Sequence, residues 1–168
     1  MGRRRVKLVP WSHVRYWACV RCGGCCRHTT VQLTPPEWLM LVKTYGYGLV
    51  EQTIGGFYLR KTIDDHCPFL VKSLWGHACR LQHMKPLACK LWPFRIRGDS
   101  RLGCEDEAHV KYRGRDFYVY AQPQCPGVVL GTPSPWFSQK VLPEFLDIRL
   151  GLQNEQIYST SKLHPTPY

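Results

Sequence analysis

The hydrophobic pattern along this chain is broken into short runs, and the elements it predicts are correspondingly short. The clearest begins at Leu33-Thr34-Pro35-Pro36-Glu37. Thr34 is a good helix N-cap, Pro35 suits the first helical position, and Glu37 completes a capping box. Trp38, Leu39, Leu41, Val42 and Tyr45 then recur at helical spacing as a broad apolar face, and Gly46 ends the helix. The aromatic residues of this helix read as core. Phe57-Tyr58-Leu59-Arg60 reads as a short strand. Tyr112-Arg113-Gly114-Arg115-Asp116-Phe117 predicts a hairpin turn, after which Phe117 and Val119 face one side and Tyr118 and Tyr120 the other. Pro86 starts a short helix ended by Pro93, and Ser134-Pro135 caps another through Trp136 and Phe137. From Pro143 onward Phe145, Ile148, Leu152 and Tyr158 line an amphipathic helix that runs through Gly151. Residues 1–18 show no clear period and read as a strand or extended arm carrying Trp11, Tyr16 and Trp17. The closing STSKLHPTPY reads as a loose tail. The sum is a small α+β fold with short strands, two or more helices and long loops.

At 168 residues the chain is long enough to bury a core and reads as one domain. It is parsed as a basic N-terminal arm (1–18), a cysteine-bearing core (19–131) and a C-terminal helix and tail (132–168). A hydrophobic content of 44% with 21% charged residues excludes gross disorder. No apolar run approaches the ~18–20 residues of a membrane helix. The start, MGRRRVKLVPWSH, is basic but has no apolar stretch after it, which argues against secretory and twin-arginine export signals. Val6 stands where myristoylation would want Ser or Thr. These features predict a cytoplasmic protein. No internal repeat or low-complexity segment is present.

The chemistry concentrates in Cys19 to Cys26, CVRCGGCC, where four thiols fall within eight residues. A core needs volume and shape rather than repeated sulfur, so packing explains this run poorly. In a reducing compartment clustered thiols bind metal or do redox chemistry more often than they form disulfides. The total of nine cysteines is odd, and a vicinal Cys25–Cys26 disulfide would be strained. Gly23 and Gly24 let the backbone turn and point N–H groups at sulfur. The charge balance is +11, and residues 1–30 hold Arg3, Arg4, Arg5, Lys7, Arg15, Arg21 and Arg27 with no acid. Four thiolates around a doubly charged centre carry a net charge of −2, so two such sites would bring the chain to about +7. Part of the basic excess therefore balances sulfur, and the remainder is available to attract nucleic acid or anionic lipid.

The later cysteines lie in HCPFL (Cys67), HACRL (Cys79), KPLACKLWPF (Cys89) and CPGVVLG (Cys125). The ordered series CVRCGGCC, CPFL, Cys79, KPLACKLWPF and CPG resembles the CxxCxxCC, or YkgJ-type, cysteine-cluster family over roughly residues 17–131. That family is described as a zinc- or iron-chelating domain, and it is distantly similar to a cysteine module of flagellin lysine methylases. Two departures leave every thiol in place: Lys85-Pro86 stands for the family's Arg-Pro, and Gln82 stands for a tyrosine. The resemblance implies Cys19, Cys22, Cys25, Cys26, Cys67, Cys79, Cys89 and Cys125 as metal ligands.

Eight thiols would fill two four-thiolate sites of zinc or iron–sulfur. If the backbone at the vicinal pair is extended, Cys25 and Cys26 point to opposite sides and serve different sites. Cys19, Cys22 and Cys25 would then join one distant thiol, and Cys26 three others; a single site with the remaining thiols structural is the rival. The x2 spacings fit an iron–sulfur cubane somewhat better than a zinc ribbon. His28, His66, His77 and His83 flank these cysteines and could replace a thiol, although a surface or hydrogen-bonded role is the plainer one. Cys104, beside Glu105, Asp106 and Glu107, is a poor thiolate and reads as a non-ligand.

There is no P-loop, dinucleotide fingerprint or nucleophile elbow, and Asp64-Asp65 reads as a solvated turn. The sequence therefore predicts a metal-binding protein with a structural or electron-transfer role, working with a redox or protein-substrate partner. A modification enzyme related to the methylases and a basic nucleic-acid-binding protein are the alternatives.

Overall fold

The mixed α+β character is present in the computed structural model, which describes residues 7–74, 76–81 and 84–158. Arg3, Arg4 and Arg5 of the basic arm, Gln82, His83 and the tail from residue 159 lie outside the described residues, as does the side chain of His28. In chain order the elements are β1 (Val9–Pro10), β2 (Val14–Trp17), α1 (Gly24–His28), β3 (Gln32–Leu33), α2 (Pro35–Tyr45), β4 (Val50–Thr53) and β5 (Gly56–Leu59). There follow β6 (Leu70–Ser73), β7 (Gly76–Cys79), α3 (Leu87–Lys90), β8 (Phe94–Arg97), α4 (Glu105–Ala108), β9 (His109–Tyr112), β10 (Arg115–Ala121), β11 (Val128–Leu130) and α5 (Leu142–Leu150). No helix among the described residues is long and apolar enough to cross a membrane. The chain divides into two compact units, residues 7–20 with 91–158, and residues 21–90.

The first unit is built on the predicted hairpin. Arg113 and Gly114 both take left-handed backbone, φ 48° and 75°, which is the turn whose twist matches its flanking strands. It joins β9 to β10, with Phe117 opposite Val110. Further along, the same edge of β10 pairs with β1, and the other edge pairs with β8. The alternation holds: Phe117, Val119 and Ala121 face the core with Phe94 and Ile96. Tyr120, on the opposite face, is also buried, and its hydroxyl donates to the Gly103 carbonyl at 2.7 Å. Residues 9–17 are strands joined by a short 3-10 turn, and β2 pairs with β11.

Ser134 Oγ accepts from the Phe137 N–H at 3.2 Å, so the predicted cap is made. A π-helical turn at Phe137–Val141 then runs into α5. Pro143 has no N–H to give the turn before it, and a wider turn absorbs that loss. Phe145 and Ile148 are buried as expected. The helix does not run through Gly151, however. Gly151 is a left-handed C-cap with φ 73°, and Leu152 is 61% exposed. A glycine one residue past an apolar face ends a helix more cheaply than it continues one. Tyr158 therefore lies beyond the helix, and the buried Glu144 holds that segment: its Oε2 accepts from the Ile157 and Tyr158 N–H groups, each at 2.6 Å.

The second unit contains the predicted capping box. Thr34 Oγ1 accepts from the Glu37 N–H, and Glu37 Oε2 accepts from the Thr34 N–H at 2.8 Å. Gly46 ends α2 through its N–H to the Val42 carbonyl. The apolar face is narrower than the sequence suggests, since Leu41 is buried while Leu39 and Tyr45 are exposed. Strands β3, β5 and β4 form one small sheet in that order, and β6 and β7 a hairpin. Val31, Leu33, Leu41, Val50, Leu59, Cys67, Phe69 and Leu81 make the core, with Cys26, Cys79 and Cys89 packed against it.

Candidate metal centre

The thiol cluster begins where the backbone turns at two left-handed residues, Arg21 (φ 56°) and Gly23 (φ 72°). Between them Cys22 is exposed, and its Sγ accepts from the Gly24 N–H at 3.4 Å. From Gly24 the chain is helical, and the vicinal pair sits inside α1. This corrects the extended-backbone premise. Successive helical side chains diverge by about 100° rather than 180°, and the Cys25 and Cys26 sulfurs lie side by side at 4.0 Å. The assignment of Cys25 and Cys26 to separate sites loses its geometric basis.

Long-range bonds bring the other thiols to this helix. The Cys67 N–H donates to the Cys26 carbonyl at 2.8 Å. Lys61 Nζ bridges the Arg27 carbonyl, at 2.8 Å, and Asp65 Oδ1, at 2.9 Å, tying the turn before Cys67 to the end of α1. The β6–β7 register places Cys79 opposite Leu70, three residues after Cys67. Cys89 rides on α3, whose first N–H, from Leu87, donates to Glu37 Oε1 at 2.6 Å. Glu37 thus caps α2 with one oxygen and fixes α3 with the other.

Cys26 is hydrogen-bonded to both Cys25 and Cys67. Those bonds, from Cys26 in each case first, bring Cys25 and Cys67 down to about 7, against the opposing effect of burial. The same two bonds, followed by burial, push Cys26 strongly upward, so without metal Cys25 and Cys67 ionise before Cys26, and a cation bound there would displace the Cys26 proton. Burial raises Cys79 and Cys89, and the Lys85 charge acts against that rise at both and helps to lower Cys25. Lys85 is the residue standing for the family's arginine, and this is the electrostatic work a cation at that place does.

Cys22, Cys25, Cys26, Cys67, Cys79 and Cys89 all belong to the unit of residues 21–90, whereas Cys19 and Cys125 belong to the other. There Cys125 is buried in the aromatic core, Cys19 packs against it, and the neighbouring Ala18 N–H donates to the Gly127 carbonyl. Cys104 is exposed at the left-handed residue before α4. Among the described residues no three His, Cys, Asp or Glu side chains already converge as a metal shell; the thiols are strung through Cys26 rather than closed around a point. His77 has both ring nitrogens engaged, Nε2 with Arg27 Nη2 at 2.8 Å and Nδ1 with the Arg21 carbonyl at 3.3 Å. Sequence reasoning missed the supports Lys61, Lys85 and the second oxygen of Glu37. Only the capping box pointed to one of them.

Residues 18–126 match the CxxCxxCC family, described as a "Putative zinc- or iron-chelating domain". The chain belongs to this family. No curated protein and no solved structure matches it significantly. Its cysteine-cluster domain is accordingly a metal-binding one, and thiols fit zinc and iron alike.

Proposed function

We propose that Cys25, Cys26 and Cys67 hold a single zinc or iron ion, with Cys79 or Cys89 as the fourth donor. The observation that carries this reading is the 4.0 Å separation of the Cys25 and Cys26 sulfurs. Two thiolates about 2.3 Å from one tetrahedral ion lie about 3.8 Å apart. A cubane, in contrast, gives each thiolate its own iron and separates them further. The lowered Cys25 and Cys67 provide the thiolate form an ion requires. Four thiolates saturate such an ion, which suits a structural role rather than catalysis.

An iron–sulfur cluster is the second reading, favoured by the Cys-x2-Cys spacing of Cys22 and Cys25, which fits a cubane better than a zinc ribbon. Anaerobic purification with metal and sulfide analysis and a visible spectrum separates the two. One zinc or iron per chain without sulfide supports the single ion. Acid-labile sulfide with a broad brown absorption would replace it by the cluster. Cys26→Ser is expected to abolish stoichiometric metal binding, and full retention would remove Cys26 from the ligand set.

A further inference from the structure

We infer that His77 is a positioning residue that braces the loop between Cys22 and Cys25 from outside the ligand set. This inference rests on the thiolate reading above. The β6–β7 hairpin, which ends in Cys79, lies against the cysteine loop through a set of close approaches. The His77 backbone N–H donates to the Arg21 carbonyl at 2.9 Å. A Cβ on Gly76 would come within 2.9 Å of Arg21 Cβ, and one on Gly23 within 2.9 Å of the His77 ring. Both positions therefore need glycine, for space as well as for their left-handed φ of 110° and 72°.

The ring chemistry follows from its partners. A guanidinium can only donate, so Nε2, 2.8 Å from Arg27 Nη2, is an acceptor. A carbonyl can only accept, so Nδ1, 3.3 Å from the Arg21 oxygen, carries the proton. His77 is thus the Nδ1–H tautomer with no lone pair left for a metal. It links the residue before Cys22, the glycine before α1, and Arg27 directly after Cys26. Through it, the strand bearing Cys79 and the helix bearing Cys25 and Cys26 keep one relative placement. Outer-shell supports of this kind are worth about 10–100-fold in metal affinity.

Two measurements on the full chain test this. A long-range 15N–1H spectrum of the metal-free wild-type protein at neutral pH is expected to show His77 protonated at Nδ1; protonation at Nε2 overturns the brace whether or not the protein binds metal. Competition for Zn2+ against a chromophoric chelator, with the Co2+ spectrum of each variant, provides the second readout. His77→Ala is expected to weaken Zn2+ binding about 10–100-fold with the Co2+ thiolate bands unchanged in position. His77→Gln, which keeps an amide oxygen for Arg27, is expected to recover part of the loss. Unchanged affinity in His77→Ala, or a Co2+ spectrum that loses a nitrogen donor, overturns the proposal. Absence of Zn2+ and Co2+ binding by the wild type sinks the proposed function instead, and the tautomer then decides the brace alone.

Discussion

The unit of residues 7–20 and 91–158 buries Trp17, Phe94, Phe117, Phe137 and Phe145 in one core, whereas the core of residues 21–90 buries, among its described residues, Phe69 with aliphatics and Cys67. In the first, rings meet edge to face, Trp17 at 5.4 Å and Phe94 at 4.8 Å from Phe145. Such contacts hold a fold through area and shape. In the second, Cys26, Cys79 and Cys89 share the rim with Trp38, Leu49, Phe57 and Met84, so sulfur takes part in the packing beside larger side chains. The two helices that carry its thiols are short, α1 spanning five residues and α3 four, below the length at which helices hold by themselves. The unit that carries six thiols is therefore the one in which metal binding is expected to couple to folding.

The largest test of this contrast is metal removal. Structural thiolate sites couple on the order of 10 kcal/mol of binding to folding. Stripping the protein with a strong chelator is therefore expected to collapse amide-exchange protection across residues 21–90 while β8 and β10 stay protected. Equal loss in both units would end the distinction. Next in size, Phe145→Ala removes a wholly buried ring and is expected to cost about 3–5 kcal/mol in denaturant unfolding, with metal content per chain unchanged. A parallel loss of metal would show that the aromatic core supports the thiols as well.

Smaller effects sharpen the picture within each unit. Glu144→Gln weakens a buried carboxylate's bonds to two backbone N–H groups, at about 1–3 kcal/mol. Faster exchange of the Ile157 and Tyr158 amides, with metal affinity intact, is the expected signature. Thr34→Ala removes the N-cap of α2 at about 1 kcal/mol. Because the same box orients Glu37 toward α3, a measurable decrease in Zn2+ affinity should accompany it. Unchanged affinity would mean that Cys89 does not need this support.

The features legible in the sequence are those whose physics is local. The Thr34–Glu37 box, the Arg113–Gly114 turn and the alternation along residues 117–121 depend on residues within a few positions of one another, and each is found where the pattern puts it. Gly151 is followed by an apolar residue that imitates a continuing helical face, yet it ends α5 by the equally local rule of a C-cap glycine. Two adjacent cysteines hold no information about whether their backbone is extended or helical; Gly23 and the turn before it decide that.

By itself, then, the sequence determined the α+β class, the capped helix at Pro35–Tyr45, the hairpin at Arg113–Gly114 and, through the order of its cysteine motifs, the metal-binding family. Only the tertiary structure decided which sulfurs meet. Cys67 reaches Cys26 through a backbone bond across 41 positions, Cys89 is held through Glu37 across 50, and His77 is drawn onto Arg21 across 56. Spacing along a chain prescribes local turns, but the separation of two sulfurs depends on hydrogen bonds and packing between elements far apart in sequence, which no local pattern encodes.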